Sequence, residues 1–203
     1  MKRFWKKRWL PLPVLIPLLL YAAAAVWTST RNVSQLPVLM YHHISEDVAT
    51  DMVISPARFE AHMAALKEHG WNSVTIRQLI EFGEQGTPLP DHPVLITFDD
   101  GYTSNLELAA PILERHGLNA VIFVIGINAG QSVYANSGQP LDPPRFALKD
   151  VRPYLESGVL EVESHTIDLH QRADYGYSGR EGVLPLAGEP EDAYRQVLAG
   201  DCR

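Results

Sequence analysis

The sequence is poor in cysteine and in positive charge, and each shortage excludes or disfavours a class of site or partner. Cys202 is the single cysteine among 203 residues, which excludes an internal disulfide and any zinc site built from cysteines. The formal net charge is −7. Five cations lie without any acid among residues 1–9, so the remainder is more acidic still. The acidity of the residues after position 9 argues against binding to nucleic acid or to an anionic lipid surface.

A charge-free apolar run follows the basic flank at residues 1–9. Residues 10–27 read LPLPVLIPLLLYAAAAVW, about the length that crosses a bilayer as a helix. The pattern predicts a signal anchor that leaves the N-terminus in the cytoplasm and the body outside, with residues 28–35 as a linker. The small residues at 22–25 leave cleavage by a signal peptidase open, and a cleaved protein would be secreted. The domain that follows is expected to span residues 36–203.

Strand and helix signals alternate through this domain. The apolar runs VLITF and AVIFVI are typical of parallel strands buried on both faces. Ser55 and Thr75 are expected to cap helices, and glycines such as Gly117 to end them. Repeated strand–helix units predict an α/β fold with a parallel sheet. Active sites of such folds lie at the carboxyl ends of the strands.

Four polar residues are expected at that edge of the sheet. Asp99 and Asp100 end the strand VLITF, although adjacent like charges repel and lose hydration on burial. His165 follows the strand VLEVE, and His170 comes five residues later. Two imidazoles and one carboxylate suit a divalent metal with positions open for water and substrate. One aspartate would then be neutralised by the cation, and the other would remain as a base.

Different roles remain open for these residues. Paired aspartates before a glycine also occur in turns, where they cap backbone N–H groups. Asp168, between the two histidines, is either a third ligand or has no role. Two histidines and a carboxylate also suit the iron of a non-haem oxygenase, although the adjacent second aspartate argues against it. His42 and His43 are left outside the site, because a supporting role and a structural or solvent-facing role are equally open. For Tyr102, contact with a substrate and a packing role are equally open.

TFDDGY at residues 97–102 and SHTIDLH at residues 164–170 resemble the polysaccharide deacetylase family, the NodB-homology or carbohydrate esterase type. PVLMYHHI and FVIG also resemble members of that family. The nearest resemblance is to its exported branch, which acts on poly-N-acetylglucosamine. The resemblance implies a distorted (β/α) barrel and a hydrolase that removes N-acetyl groups from a cell-surface N-acetylglucosamine polymer.

Roles for the four polar residues follow from the same resemblance. It implies that Asp99 is the general base and that Asp100, His165 and His170 bind a divalent metal, zinc first, with cobalt or nickel as alternatives. Substrate-binding residues stay unassigned. The five-residue spacing of the histidines, against four in the commoner family pattern, is a mark of the poly-N-acetylglucosamine branch.

Later family motifs are absent from the sequence. No histidine follows His170 to act as a general acid, and the helix signal EPEDAYRQVLAG is followed by no further strand signal. The barrel is therefore expected to be incomplete at its C-terminus. An alternative is a membrane-tethered, catalytically impaired glycan-binding remnant of the family. Release of acetate from an N-acetylglucosamine oligomer would distinguish the two.

Overall fold

The structure is a computed structural model that describes residues 35–47, 50–135, 137–172 and 178–201. The basic flank, the signal anchor and most of the linker predicted from the sequence lie outside the described residues, as does Cys202. Within the described ranges, no helix combines the length and the apolar character needed to cross a bilayer.

Strands and helices alternate along the chain. The strands are β1 (Val38–Tyr41), β2 (His43–Ile44), β3 (Val53–Ile54), β4 (Asn72–Ser73), β5 (Pro93–Asp100), β6 (Ala120–Ile125) and β7 (Leu160–Thr166). The helices are α1 (Pro56–Glu68), α2 (Ile76–Gln85), α3 (Ala110–His116), α4 (Arg152–Ser157) and α5 (Glu191–Asp201). A π-helical turn, Asn105–Ala109, leads into α3, and a 3₁₀ turn, Gly126–Asn128, follows β6.

A parallel sheet organises the domain. Its strands lie in the order β1, β5, β6, β7, and β4 pairs with the start of β5. The strands β2 and β3 form a separate parallel pair. Both β5 and β6 are buried over most of their length, as expected for central strands covered on both faces. The predicted α/β fold with a parallel sheet is confirmed.

The core lies mainly between the sheet and the helices α1 and α3. Its fully buried side chains include Phe59 and Met63 of α1, Phe98 of β5, Leu113 of α3 and Ile122 of β6. Burial of each such side chain stabilises the fold by about 1.5–3 kcal/mol relative to exposure. The packing fixes β5 and β6 in the middle of the sheet.

Helices α1 and α2 begin where the sequence predicts. The Ser55 hydroxyl accepts a hydrogen bond from the Arg58 amide at 3.3 Å. Thr75 and Gln78 form a reciprocal capping box at the start of α2. Gly117 ends α3 in the left-handed conformation with φ 59°, which glycine adopts without steric cost.

The strands extend further than the apolar runs suggest. Asp99 and Asp100 are the last residues of β5, and His165 lies within β7 rather than after it. Val124 of β6 pairs with Ser164, while the next residue, Ile125, pairs with Thr166. His165 is therefore an extra residue at a bulge. Bulges re-aim side chains beside functional sites, and this one lies at the edge where β5 ends.

Candidate metal centre and active site

Asp100 adopts an unusual backbone conformation at the end of β5. Its φ is 72°, and Gly101 follows with φ 76°. Aspartate enters the left-handed region more readily than most residues, yet such strain typically costs about 1–3 kcal/mol. A Cβ on Gly101 would lie 3.0 Å from Cγ1 of Val124. Strain at a buried carboxylate is typical of a functional position.

Asp100, His165 and His170 meet at this edge of the sheet. Nε2 of His165 lies 3.9 Å and Nε2 of His170 lies 3.8 Å from Oδ1 of Asp100. Among the described residues, these three form a group whose ligand atoms all lie within 4.8 Å of one another. Asp168, considered from the sequence as a further ligand, does not belong to the group.

The donor atoms of this triad fit a small divalent cation. The distances from Oδ1 of Asp100 to the two imidazoles exceed hydrogen-bonding length. They match two ligand atoms that share one ion, since zinc–nitrogen and zinc–oxygen bonds measure about 2.0–2.2 Å. Oδ1 is buried and has no hydrogen-bond partner in the described part of the chain. Burying a carboxylate oxygen without a partner is costly, and a cation would compensate it.

The other oxygen of Asp100 is held by protein groups. The Tyr102 hydroxyl donates a hydrogen bond to Oδ2 at 3.2 Å, and Nη2 of Arg145 lies 3.9 Å from the same oxygen. Arg145 also stacks over the Tyr102 ring, 3.6 Å from the ring centre. Burial raises the pKa of Tyr102 to about 12, so its hydroxyl keeps the proton that it donates. These contacts fix the orientation of the carboxylate.

Asp99 faces a different neighbour. Its Oδ2 lies 3.8 Å from Nε2 of His42, and the two side chains are only 15% and 11% exposed. Burial raises the pKa of Asp99, and the neighbouring Asp100 charge raises it further, whereas His165, His42 and His170 act in the opposite direction. The raised pKa makes this carboxylate a stronger base than a surface aspartate.

His42 and His43 have separate surroundings. The buried Asn105 of the π-helical turn donates a hydrogen bond to the His42 carbonyl at 2.8 Å. His43 Nδ1 lies 2.8 Å from the Ser104 hydroxyl, and its ring packs against Tyr102. Burial, with a contribution from Arg145, lowers the pKa of His43. His42 therefore belongs to the candidate site, and His43 supports it.

Sequence reasoning placed the four main candidates at one edge. It left Tyr102, which binds Asp100, outside the site and missed two further neighbours. It left His42 out, although the position of this residue just after β1 was a usable signal. It did not consider Arg145, which lies in a loop and gives no signal of its own. The structure brings Arg145 to Asp100 through an antiparallel bridge with Tyr102.

Comparisons with known proteins find relatives of this chain. Residues 86–182 match the family model described as polysaccharide deacetylase. YxkH of Bacillus subtilis, named as a polysaccharide deacetylase, is 33% identical over 144 residues, covering 71% of this chain and 47% of that protein. Poly-beta-1,6-N-acetyl-D-glucosamine N-deacetylase of Escherichia coli K12 is 30% identical over 154 residues, covering 73% of this chain and 23% of that protein.

A solved structure shares the fold. The de-N-acetylase of Aggregatibacter actinomycetemcomitans superposes with a TM-score of 0.68 at 26% identity, covering 82% of this chain and 70% of that one. The chain spans less than half the length of either curated relative.

Proposed function

The chain contains a polysaccharide deacetylase domain of the NodB type, and from this premise we propose that it is a metal-dependent hydrolase that removes N-acetyl groups from an N-acetylglucosamine polymer at the cell surface. The observation that carries the proposal is the meeting of Asp100, His165 and His170 beside the half-buried Asp99. The names of the relatives support the choice of polymer, since the Escherichia coli protein is named for poly-beta-1,6-N-acetyl-D-glucosamine.

Asp100, His165 and His170 would hold the metal. One carboxylate oxygen and two imidazole nitrogens form a donor set that suits zinc, and cobalt or nickel as alternatives. When bound, the cation polarises the acetamide carbonyl and lowers the pKa of a coordinated water. Tyr102 and Arg145 keep the Asp100 carboxylate turned toward the two imidazoles.

Asp99 acts as the general base in this proposal. Its carboxylate takes a proton from the attacking water as the new carbon–oxygen bond forms at the acetyl carbon. The carbon–nitrogen bond then breaks, acetate leaves, and the amine nitrogen must receive a proton. His42 is suited to donate that proton, because its imidazole lies against Asp99 and imidazole is the side-chain group that most readily exchanges protons near neutral pH.

Acetate release from an N-acetylglucosamine oligomer tests these roles, with zinc content measured in parallel. Asp99→Asn should keep the metal and lose about a hundred- to ten-thousand-fold in rate, as expected for loss of a general base. Asp100→Asn should lose both metal and activity. His42→Asn should keep the metal and slow the release.

Asp91→Asn is the matched control, because this exposed aspartate lies just before β5, at the opposite end from Asp100. Its activity and metal content should equal those of the wild type. Full activity of Asp99→Asn would refute the assignment of the base. A wild-type chain that binds the oligomer and releases no acetate would favour the alternative, a glycan-binding remnant of the family.

We further propose that the sheet belongs to a distorted (β/α) barrel and that residues 10–27 place the domain outside the cell membrane. The apolar side chains Val38 and Met40 on the edge strand β1 are 52% and 62% exposed, which supports a further element packed on that face of the sheet. The basic flank before the apolar run supports the export. Protease accessibility of the domain in intact spheroplasts tests the location, and N-terminal sequencing of the mature protein tests the cleavage.

A further inference from the structure

The loop between the two candidate histidine ligands is tied to the last residue of helix α5. The Asp201 carboxylate accepts three hydrogen bonds from this loop. Oδ2 accepts from the Thr166 hydroxyl at 2.5 Å and from the Ile167 amide at 3.1 Å. Oδ1 accepts from the Asp168 amide at 2.6 Å.

The Thr166 hydroxyl, which donates to Asp201, also holds a later residue of the loop. It accepts a hydrogen bond from the Leu169 amide at 2.8 Å. Three consecutive backbone amides before His170 are thus fixed by one carboxylate and one hydroxyl, immediately after His165. Hydrogen bonds to a charged acceptor are about twice as strong as those between neutral groups.

We propose that Asp201 is a positioning residue that holds His165 and His170 in the arrangement that receives the metal. This inference rests on the proposed function, because it assumes that the two histidines are ligands. Both carboxylate oxygens of Asp201 hold the loop that joins His165 to His170. The fixed loop limits the distance between the two imidazoles and their orientation. Groups that orient metal ligands in this way typically contribute 10- to 100-fold to affinity.

Zinc affinity, measured by competition with a chromogenic chelator, tests the role without relying on activity. Asp201→Asn should bind zinc about 10- to 100-fold more weakly than the wild type, because an amide offers one acceptor oxygen where the loop requires two. Thr166→Val should weaken binding in the same way, whereas Thr166→Ser, which keeps the hydroxyl, should restore it. The visible spectrum of the cobalt-loaded chain should also change in Asp201→Asn.

Asp192→Asn is the control, since this exposed aspartate lies on the same helix and its substitution removes the same charge. Circular dichroism of the metal-free variants shows whether each is folded, and Thr166→Val supplies the test if Asp201→Asn is not. Equal zinc affinity and an unchanged cobalt spectrum in the folded variants would overturn the inference. A wild-type chain that binds no metal overturns both proposals, whereas weakened binding in Asp201→Asn without acetate release from the wild type supports this inference and refutes the proposed function.

Discussion

The two oxygens of the Asp100 carboxylate have different roles, one structural and one as a candidate metal ligand. Oδ2 is fixed by the Tyr102 hydroxyl and lies beside Arg145, whereas Oδ1 faces the imidazoles of His165 and His170. Because the first oxygen is held, the second cannot rotate away from the imidazoles. This arrangement prepares the site before a cation arrives, which lowers the entropy lost on binding.

The ion pair of Arg180 and Glu189 makes folding stability depend on pH. The two side chains are only 4% and 10% exposed, and two hydrogen bonds of 2.7 and 3.0 Å join them. The hydrogen bonds from Arg180 lower the pKa of Glu189 below its ordinary value of 4.5. Stability from this ionised carboxylate is therefore present above about pH 4.5 and is lost as the pH falls through the lowered value.

Glu189→Gln checks this expectation. Urea unfolding at pH 7 should give a lower midpoint for the variant than for the wild type, and the difference should shrink as the pH is lowered below 4.5. Glu191→Gln on the exposed face of α5 should show little difference at either pH, since its pair with Arg195 is solvated. A difference between Glu189→Gln and the wild type that stayed constant with pH would contradict the role of the charge.

At the scale of single residues, the sequence predicted the location of a site residue where a polar side chain stands at the end of an apolar strand. Asp99, Asp100 and His165 could be placed at one edge because each ends or follows an apolar strand. Arg145 could not, since loop residues carry no periodicity that would predict their partners. Asp201 was equally hidden, because its carboxylate acts on a loop that the sequence does not link to α5.

At the scale of elements, a π-helical turn and a bulge shape the site. The π-helical turn Asn105–Ala109 brings the Asn105 amide to the His42 carbonyl, and the bulge at His165 re-aims that side chain. Such irregularities are common at functional sites. Neither could be predicted from the sequence, because helical and strand patterns are read as regular periods. The helix starts at Ser55 and Thr75 were predictable, since each depends on a local cap.

The turn after β5 provides a prediction at this scale. Gly101→Ala would place a Cβ 3.0 Å from Cγ1 of Val124 in a left-handed backbone. We expect a loss of about 1–3 kcal/mol in the free energy of unfolding and weaker zinc binding, because the preceding Asp100 would shift. Denaturant unfolding and chelator competition measure the two effects.

Gly83→Ala within α2 is the matched control, because a Cβ there meets no atom within 4 Å. It should leave zinc binding unchanged and raise stability by about 0.5–1 kcal/mol. If Gly101→Ala behaved like Gly83→Ala, the turn after β5 would not be needed to position Asp100.

At the scale of the whole molecule, metal binding should stabilise the fold. The candidate ligands belong to β5 and to β7 with its following loop, and β6 lies between these strands. A free cation concentration a hundredfold above the dissociation constant would stabilise the native state by about 2.7 kcal/mol. For a chain of this size that corresponds to a rise in Tm of about 5–10 °C.

Thermal unfolding with zinc and after treatment with a chelator checks this prediction. The wild type should lose the rise when the chelator is added, and Asp100→Asn should show the same Tm in both conditions. An identical Tm for the wild type with and without zinc would argue against a cation at this site.

The overall architecture was more predictable than the site's supporting contacts. Continuous apolar strands such as VLITF, alternating with capped helices, predict a parallel α/β sheet. Both signals can be read locally, because burial and capping hydrogen bonds each depend on a short stretch of sequence. Closure into a barrel depends on partners for the exposed edge of β1, which local patterns do not specify. It stays a prediction.

The separation of the ligands along the chain has a consequence for assembly. His165 and His170 reach Asp100 only after β7 has docked on β6, because β6 separates the strands that carry them. A cation can therefore gain its full affinity only late in folding, when the last of these strands is in register. In a refolding experiment, the colour of bound cobalt should develop with the final kinetic phase and would serve as an optical signal that the sheet is finished.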